Sequence, residues 1–403
     1  MDASPTALIA SPAGVLAVLC AVAAFWFAFE QKSQLKLFIY VPPLLFIYAT
    51  PVFLNNLDVI PHDSPVYGGL SDFVLPAFIV LMLIKVDVPA AIRIMGKGVL
   101  VMLMGTVGVM VGAVVSFMIV HRWLDADAWK GFGALAGSWI GGTGNMAATA
   151  EMLGTPPEQF GLAVLADNVI YIVWLPILLA SKNFADRFNR WSKVPEERLR
   201  EMDRASAAAF TDEATPEMRD YIYLAAIALG VTWVSGAAAD LLYAWTSTSH
   251  PQLAGMLTHS TWRILLITSI SLLLSTTPVS RLPNSTAMGT AMIYVFVAGM
   301  GARASIEGFA QAPAFLLGAF IWIFIHGAFC LLGARVFSVD VHSAAIASAA
   351  NIGAAASAPI VAAFHRPSLV PVSILMALIG YALGNYLAPL TAHLARMAVG
   401  LPA

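Results

Sequence analysis

Apolar positions fall in long blocks along this chain. Runs of about 20 mainly apolar residues are what a helix needs to cross the hydrocarbon core of a bilayer. Such runs lie near residues 8–29, 37–55, 67–85, 97–120, 130–153 and 158–180. They resume near 220–244, 257–277, 285–303, 312–336, 342–364 and 368–395. The pattern predicts an all-α polytopic membrane protein of about 12 spans (11–13), with a first transmembrane repeat over 1–180, a charged linker over 181–219 and a second repeat over 220–403.

Composition agrees with that reading. Hydrophobic residues make up 59% of the chain and charged ones 11%, against roughly a quarter charged in soluble domains. Mean hydropathy is +0.81. A formal net charge of −2 offers no basic footprint for nucleic acid. The first basic residue is Lys32, so the first apolar run lacks the basic leader of a cleaved signal and is expected to be a permanent span. Cys20 and Cys330 lie far apart within apolar runs and read as small hydrophobes. The linker carries Lys182, Arg187, Arg190 and Lys193 directly after a membrane exit, which makes it cytoplasmic by the positive-inside rule.

Two neighbouring stretches break the apolar pattern. The first, Gly137-Ser-Trp-Ile-Gly-Gly-Thr-Gly-Asn145, concentrates glycines with Thr143 and Asn145 in a would-be span. Gly133, Gly137 and Gly141 recur every four residues, as in close helix packing. Gly142, Thr143, Gly144 and Asn145 read instead as a helix break. The second stretch sets Asp167 and Asn168 in the next apolar run. A carboxylate at mid-bilayer costs about 2.5–3.5 kcal/mol even on gentle insertion scales, so Asp167 needs a partner, a cavity or a proton. His326, alone in its run, reads as a hydrogen-bonded packing residue.

The halves resemble each other. Leu75–Asp87 parallels Ala291–Arg303, and each is followed by a long span and a small-residue segment. In the second half that segment contains Asn351, Gly353 and Ser357, a milder break. Interrupted helices at matching positions of two halves point to a transporter site at the membrane midplane. If every segment is one crossing, five spans separate the two breaks and the repeats are parallel. Lysine and arginine in loops 30–36 and 85–97, against none in 245–260, favour inversion but then put the linker on the wrong side. Either a crossing is miscounted or the repeats are parallel.

Trp139-Ile-Gly-Gly-Thr-Gly-Asn145, Ala166-Asp-Asn-Val169, Lys85-Val-Asp87, Ala350-Asn-Ile-Gly353 and Gly380-Tyr-Ala-Leu-Gly384 together resemble the YjcL-like integral membrane proteins over nearly the whole chain. That family looks like a branch of the cation/proton antiporter and anion transporter superfamily. The resemblance implies a panel or dimerisation domain, hence a homodimer, beside a core in which two broken helices cross. The superfamily's antiporters carry paired acids where this chain has Asp167-Asn168, a departure that weakens a copied proton-exchange mechanism.

No GxxxxGK[ST], HExxH, CxxC or GxSxG pattern occurs, so an enzyme is not expected. The expected function is ion-coupled transport of a small anionic organic solute across the bacterial inner membrane, with no cofactor beyond Na⁺ as a coupling ion. The expected site is Gly142, Thr143, Gly144, Asn145, Asp167, Asn168, Asn351, Gly353 and Ser357, with Na⁺ or H⁺ near Asp167, Asn168, Asn145 and Asn351 and any Na⁺ at Asn145, Asp167 and Asn351. A cation/proton antiporter is the alternative. An intramembrane hydrolase or a non-transporting membrane protein stands for other classes.

Overall fold

A computed structural model describes residues 7–33, 35, 38, 43–87, 96–194, 215–304 and 310–401. Parts of the expected span at 37–55, of loop 85–97 and of the linker lie outside the described residues. What is described is helical, without strands. Seven helices among the described residues are long and apolar enough to cross a membrane, fewer than the dozen expected from the sequence.

The chain runs through α1 (Pro12–Ser33), α2 (Pro43–Asn56), α3 (Pro65–Leu83) and α4 (Lys97–Val120). Next come α5 (Ala128–Gly141), α6 (Thr143–Leu153), α7 (Pro157–Ala180) and the short α8 (Ala185–Ser192). After the linker follow α9 (Met218–Ser249), α10 (His259–Ser275), α11 (Ser285–Gly301) and α12 (Ala312–Phe337). The chain ends with α13 (Val341–Ile352), α14 (Ala354–His365) and α15 (Val370–Ala398).

Packing follows small residues. Antiparallel α4 and α12 approach closely because Gly105, Gly108 and Gly112 lie bare against His326, Phe329 and Trp322, while Gly333 faces Met104. Phe132, Trp139, Phe315 and Trp322 form an aromatic cluster between this pair and α5. Gly133 and Gly141 lie against Ala392 and Gly380 of α15, so the four-residue glycine spacing does serve helix contact.

The segments at 130–153 and 342–364 do not cross as single broken helices. Each doubles back on itself. Lys130 Nζ donates to the Gly154 carbonyl at 3.5 Å, Gly133 lies against Leu153, and Gly137 against Asn145 and Thr149. A continuous path would separate residues 130 and 154 by about 36 Å at 1.5 Å per residue. In the second hairpin the Nδ1 atoms of His342 and His365 are 3.0 Å apart, and Ser357 Oγ donates to the Ala349 carbonyl at 2.8 Å.

The hairpins enter from opposite ends of α7. The open end of the first, at 154–157, holds Tyr48, whose hydroxyl donates to the Pro157 carbonyl at 3.0 Å. The open end of the second meets the other terminus of α7: a His365 imidazole nitrogen lies 2.9 Å from the Leu178 carbonyl, and Lys182 Nζ donates to the Phe364 carbonyl at 2.6 Å. The tips therefore meet midway, where a Cβ added to Gly142 would lie 2.8 Å from that of Ala354.

Local sequence permits the first turn. Gly142 adopts φ +89° and ψ −178°, a region essentially restricted to glycine. In the second hairpin the left-handed position falls on Ala354 at φ 49°, one residue beyond Gly353. Pro156 and Pro157 then close the first hairpin and start α7, and Pro367 follows the second.

Two tests follow. With the native cysteines replaced by alanine, His342→Cys together with His365→Cys should be joined within one chain by a short bifunctional thiol reagent, as read by peptide mass spectrometry. A continuous helix would hold those thiols about 34 Å apart and give no link. Gly142→Ala should cost about 1–3 kcal/mol through the disallowed φ, seen as a lower melting temperature in detergent.

Candidate functional site

Between the hairpin tips and the helices α2, α3 and α11 lies a cavity of about 310 Å³. The tips contribute Gly142, Thr143 and Gly144 from one side and Gly353 through Ala356 from the other. Leu44, Phe78, Met82 and Ile293 form apolar walls, and Thr286, Thr290, Tyr294 and Tyr381 add hydroxyls to that of Thr143. Among the described residues, no ionisable acid or base other than tyrosine lines the cavity. Gly144 is needed because the Phe78 ring occupies the place of its missing Cβ.

Each tip starts one helix and ends another. Helix geometry leaves the first amides of α6 and α14 without intrahelical acceptors, and the last carbonyls of α5 and α13 without intrahelical donors. At the first tip the Asn145 and Met146 amides fold back on the Gly142 carbonyl at 3.0 and 3.1 Å. At the second, the Ala356 and Ser357 amides do the same to Gly353 at 3.1 and 3.3 Å. The amides of Thr143, Gly144, Ala354 and Ala355 are the leading donors at the two helix starts, where the helix dipoles are positive.

The structure separates the expected site residues into two groups. Gly142, Thr143, Gly144 and Gly353 line the cavity. Asn145, Asn168, Asn351 and Ser357 do not; they are buried braces. Asn145 Nδ2 donates to the Tyr381 carbonyl at 2.9 Å and to Asn385 Oδ1 at 2.8 Å, tying the first hairpin to α15. Asn351 is tied to α4, accepting from Thr106 Oγ1 and donating to the Met102 carbonyl, both at 3.0 Å. Asn168 Nδ2 turns back to the Val164 carbonyl of its own helix at 2.7 Å, and Ser357 bonds across its own hairpin. Asn145 and Asn351 thus direct their amide groups to different helices, α15 and α4.

Asp167, on the middle turns of α7, lies outside the cavity lining. Its carboxylate accepts from Trp139 Nε1 at 2.9 Å and from Ser138 Oγ at 3.1 Å, one turn before the first tip. Both of these partners are neutral, and among the described residues it forms no ion pair. No cluster of three or more His, Cys, Asp or Glu suited to a metal occurs among the described residues. His326 is a packing residue as expected. One ring nitrogen faces the Gly105 carbonyl at 2.9 Å and the other Ser348 Oγ at 2.9 Å, while Trp174 Nε1 donates to the same hydroxyl at 3.0 Å.

Sequence reasoning missed Thr286, Thr290 and Tyr294. Their signal is a four-residue spacing that puts three hydroxyls on one face of an otherwise apolar helix. It also missed Tyr381 as lining and the buried relay from Asn385 to Thr268 Oγ1 at 2.9 Å, which extends the Asn145 brace to α10.

Comparison with known proteins places this architecture. The chain is 28% identical over 347 residues to the "Uncharacterized membrane protein YjcL" of Bacillus subtilis (strain 168), covering 84% of this chain and 86% of that relative. That similarity and the apolar helices make this a multi-pass membrane protein. The family described as "Protein of unknown function (DUF819)" matches residues 17–398, nearly the full length, and the chain belongs to it.

Proposed function

We propose that the chain is an ion-coupled secondary transporter that binds a small anionic organic solute in the cavity between the hairpin tips. The observation that carries this reading is the meeting of two helix starts, at Thr143 and Ala354, on one cavity with a neutral, hydroxyl-bearing lining. Helix N-termini favour anions, and unwound backbone at membrane depth is tolerated where it lines such a cavity. The carbonyl ends of α5 and α13 reach the same tips, so a cation can be held close to the solute. Asp167 supplies negative charge near the first tip and is our candidate for binding or carrying the coupling Na⁺ or H⁺.

The doubling back of both hairpins supports inverted repeats. If neither hairpin crosses, ten helices do: α1 to α4, α7, α9 to α12 and α15. Five of them separate the hairpins, an odd number, and the hairpins then enter from opposite sides. This arrangement also resolves the charge conflict. It puts the linker and loops 30–36 and 85–97 on one side, with 245–260 on the other. All Lys and Arg except Arg122, Lys130, Arg263, Arg303 and Arg396 then fall on the linker side, which is cytoplasmic by the positive-inside rule. The inner membrane of a bacterium is the proposed location, and transport rather than catalysis the proposed activity.

A melting-temperature screen of purified protein against organic anions, with and without Na⁺ and across pH, tests this reading. A ligand at a hundred times its Kd should stabilise the fold by about 2.7 kcal/mol. Thr143→Val or Tyr381→Phe should each weaken binding about 2- to 10-fold, the loss of one hydrogen bond. Asp167→Asn should abolish the ion dependence of uptake into liposomes. Sodium flux driven by a pH gradient without any solute would favour a cation/proton antiporter instead. Failure of every anion to stabilise the protein in any ion condition would overturn the proposal.

A further inference from the structure

A second cavity, also of about 310 Å³, lies on the outer flank of the second hairpin. Its walls come from the C-terminal half of α7 (Trp174, Ile177), the middle of α12 (Phe324, Ala328, Leu331) and the first arm of the hairpin, with Phe188 of α8 at one end. The lining is almost entirely carbon. Its polar groups are all engaged within the protein: Ser181 Oγ donates to the Leu178 carbonyl at 2.6 Å, Trp174 Nε1 donates to Ser348 Oγ, which also meets His326, and Cys330 Sγ lies 3.5 Å from His326 Nε2. A polar solute would find nothing here to orient it.

The open side identifies the occupant. Ile177, Phe324 and Leu331 are 43%, 56% and 49% exposed, and they stand on spans whose outer surfaces meet the bilayer. The groove is therefore continuous with the hydrocarbon around the protein. At its mouth sits α8, an interfacial helix by pattern. Phe184, Phe188 and Trp191 recur at helical spacing on one face, and Arg187 and Arg190 are exposed on another. The Asn189 side-chain oxygen accepts from the Val341 amide at 3.0 Å, fixing α8 to the start of the hairpin. Lys182 and Lys193 add exposed positive charge at the same level, against the single acid Asp186 on α8. Basic side chains beside a membrane exit attract anionic lipid headgroups.

We infer that this groove seats one acyl chain of an anionic membrane phospholipid, with its headgroup held by Arg187, Arg190 and Lys182. A lipid there packs along Ala344, Ala345 and Ser348, so it braces the first arm of the second hairpin from outside. The inference is independent of the solute reading of the tip cavity.

The test uses full-length protein in nanodiscs of phosphatidylcholine alone or with added phosphatidylglycerol, and native mass spectrometry after release into detergent. The expected result is a higher melting temperature with phosphatidylglycerol and one retained lipid of that mass. Ala328→Phe, at an exposed lining position, should fill the groove and lose both the adduct and the shift. Leu331→Trp fills it from a neighbouring position, in case the first variant fails to fold. Arg187→Gln with Arg190→Gln should keep an adduct but lose the preference for phosphatidylglycerol. Retention of the same adduct by both folded groove-filling variants would overturn the inference. So would conversion of a wild-type dimer to monomers by Ala328→Phe, because a second copy would then be the occupant.

Discussion

A bilayer offers no water to backbone groups released from a helix, and each unsatisfied amide or carbonyl there costs several kcal/mol. This chain interrupts helical structure at two buried turns, Gly142 and Gly353–Ala354, and the rest of its packing must shelter those interruptions. It does so by bringing them together. Gly142 and Ala354 face each other at the tips, and the freed ends of four half-length helices open on one small cavity.

The polar residues that first suggest a binding site mostly secure that arrangement. Asn145 ties one hairpin to α15, Asn351 ties the other to α4, and Ser357 closes its own hairpin from within. A buried amide with both ends satisfied holds two helices in one register and is costly to disturb. The polar surface left for a ligand is backbone and hydroxyl, set between apolar walls of Leu44, Phe78, Met82 and Ile293.

The two hairpins are not equivalent. The first carries the neighbouring carboxylate, held by Ser138 and Trp139, and packs tightly on α15. The second is anchored by the His326–Ser348–Trp174 network and by paired histidines at its base, and its turn places an alanine in the left-handed region. The first half thus bears the charge on which ion coupling is proposed to depend. The second bears the outer groove and the contact with α8 through Asn189 and Val341.

The sequence alone determined the helical class, the membrane setting and the two places where helices stop. Those features follow from local composition: about 20 apolar residues span a bilayer, and glycine with asparagine lowers the cost of leaving a helix. Tertiary structure decided the direction of the chain after each stop. Residues 130–153 have the length and apolarity of one crossing, and nothing within them distinguishes a kink from a reversal. The reversal is stabilised by contacts distant in sequence, Gly141 on Gly380 and Tyr48 on Pro157 among them. The same holds for the site. Asn145 and Asn351 are polar in apolar runs in either case, but their partners, 240 and 245 residues away along the chain, make them braces and leave the cavity to Thr286, Thr290, Tyr294 and Tyr381.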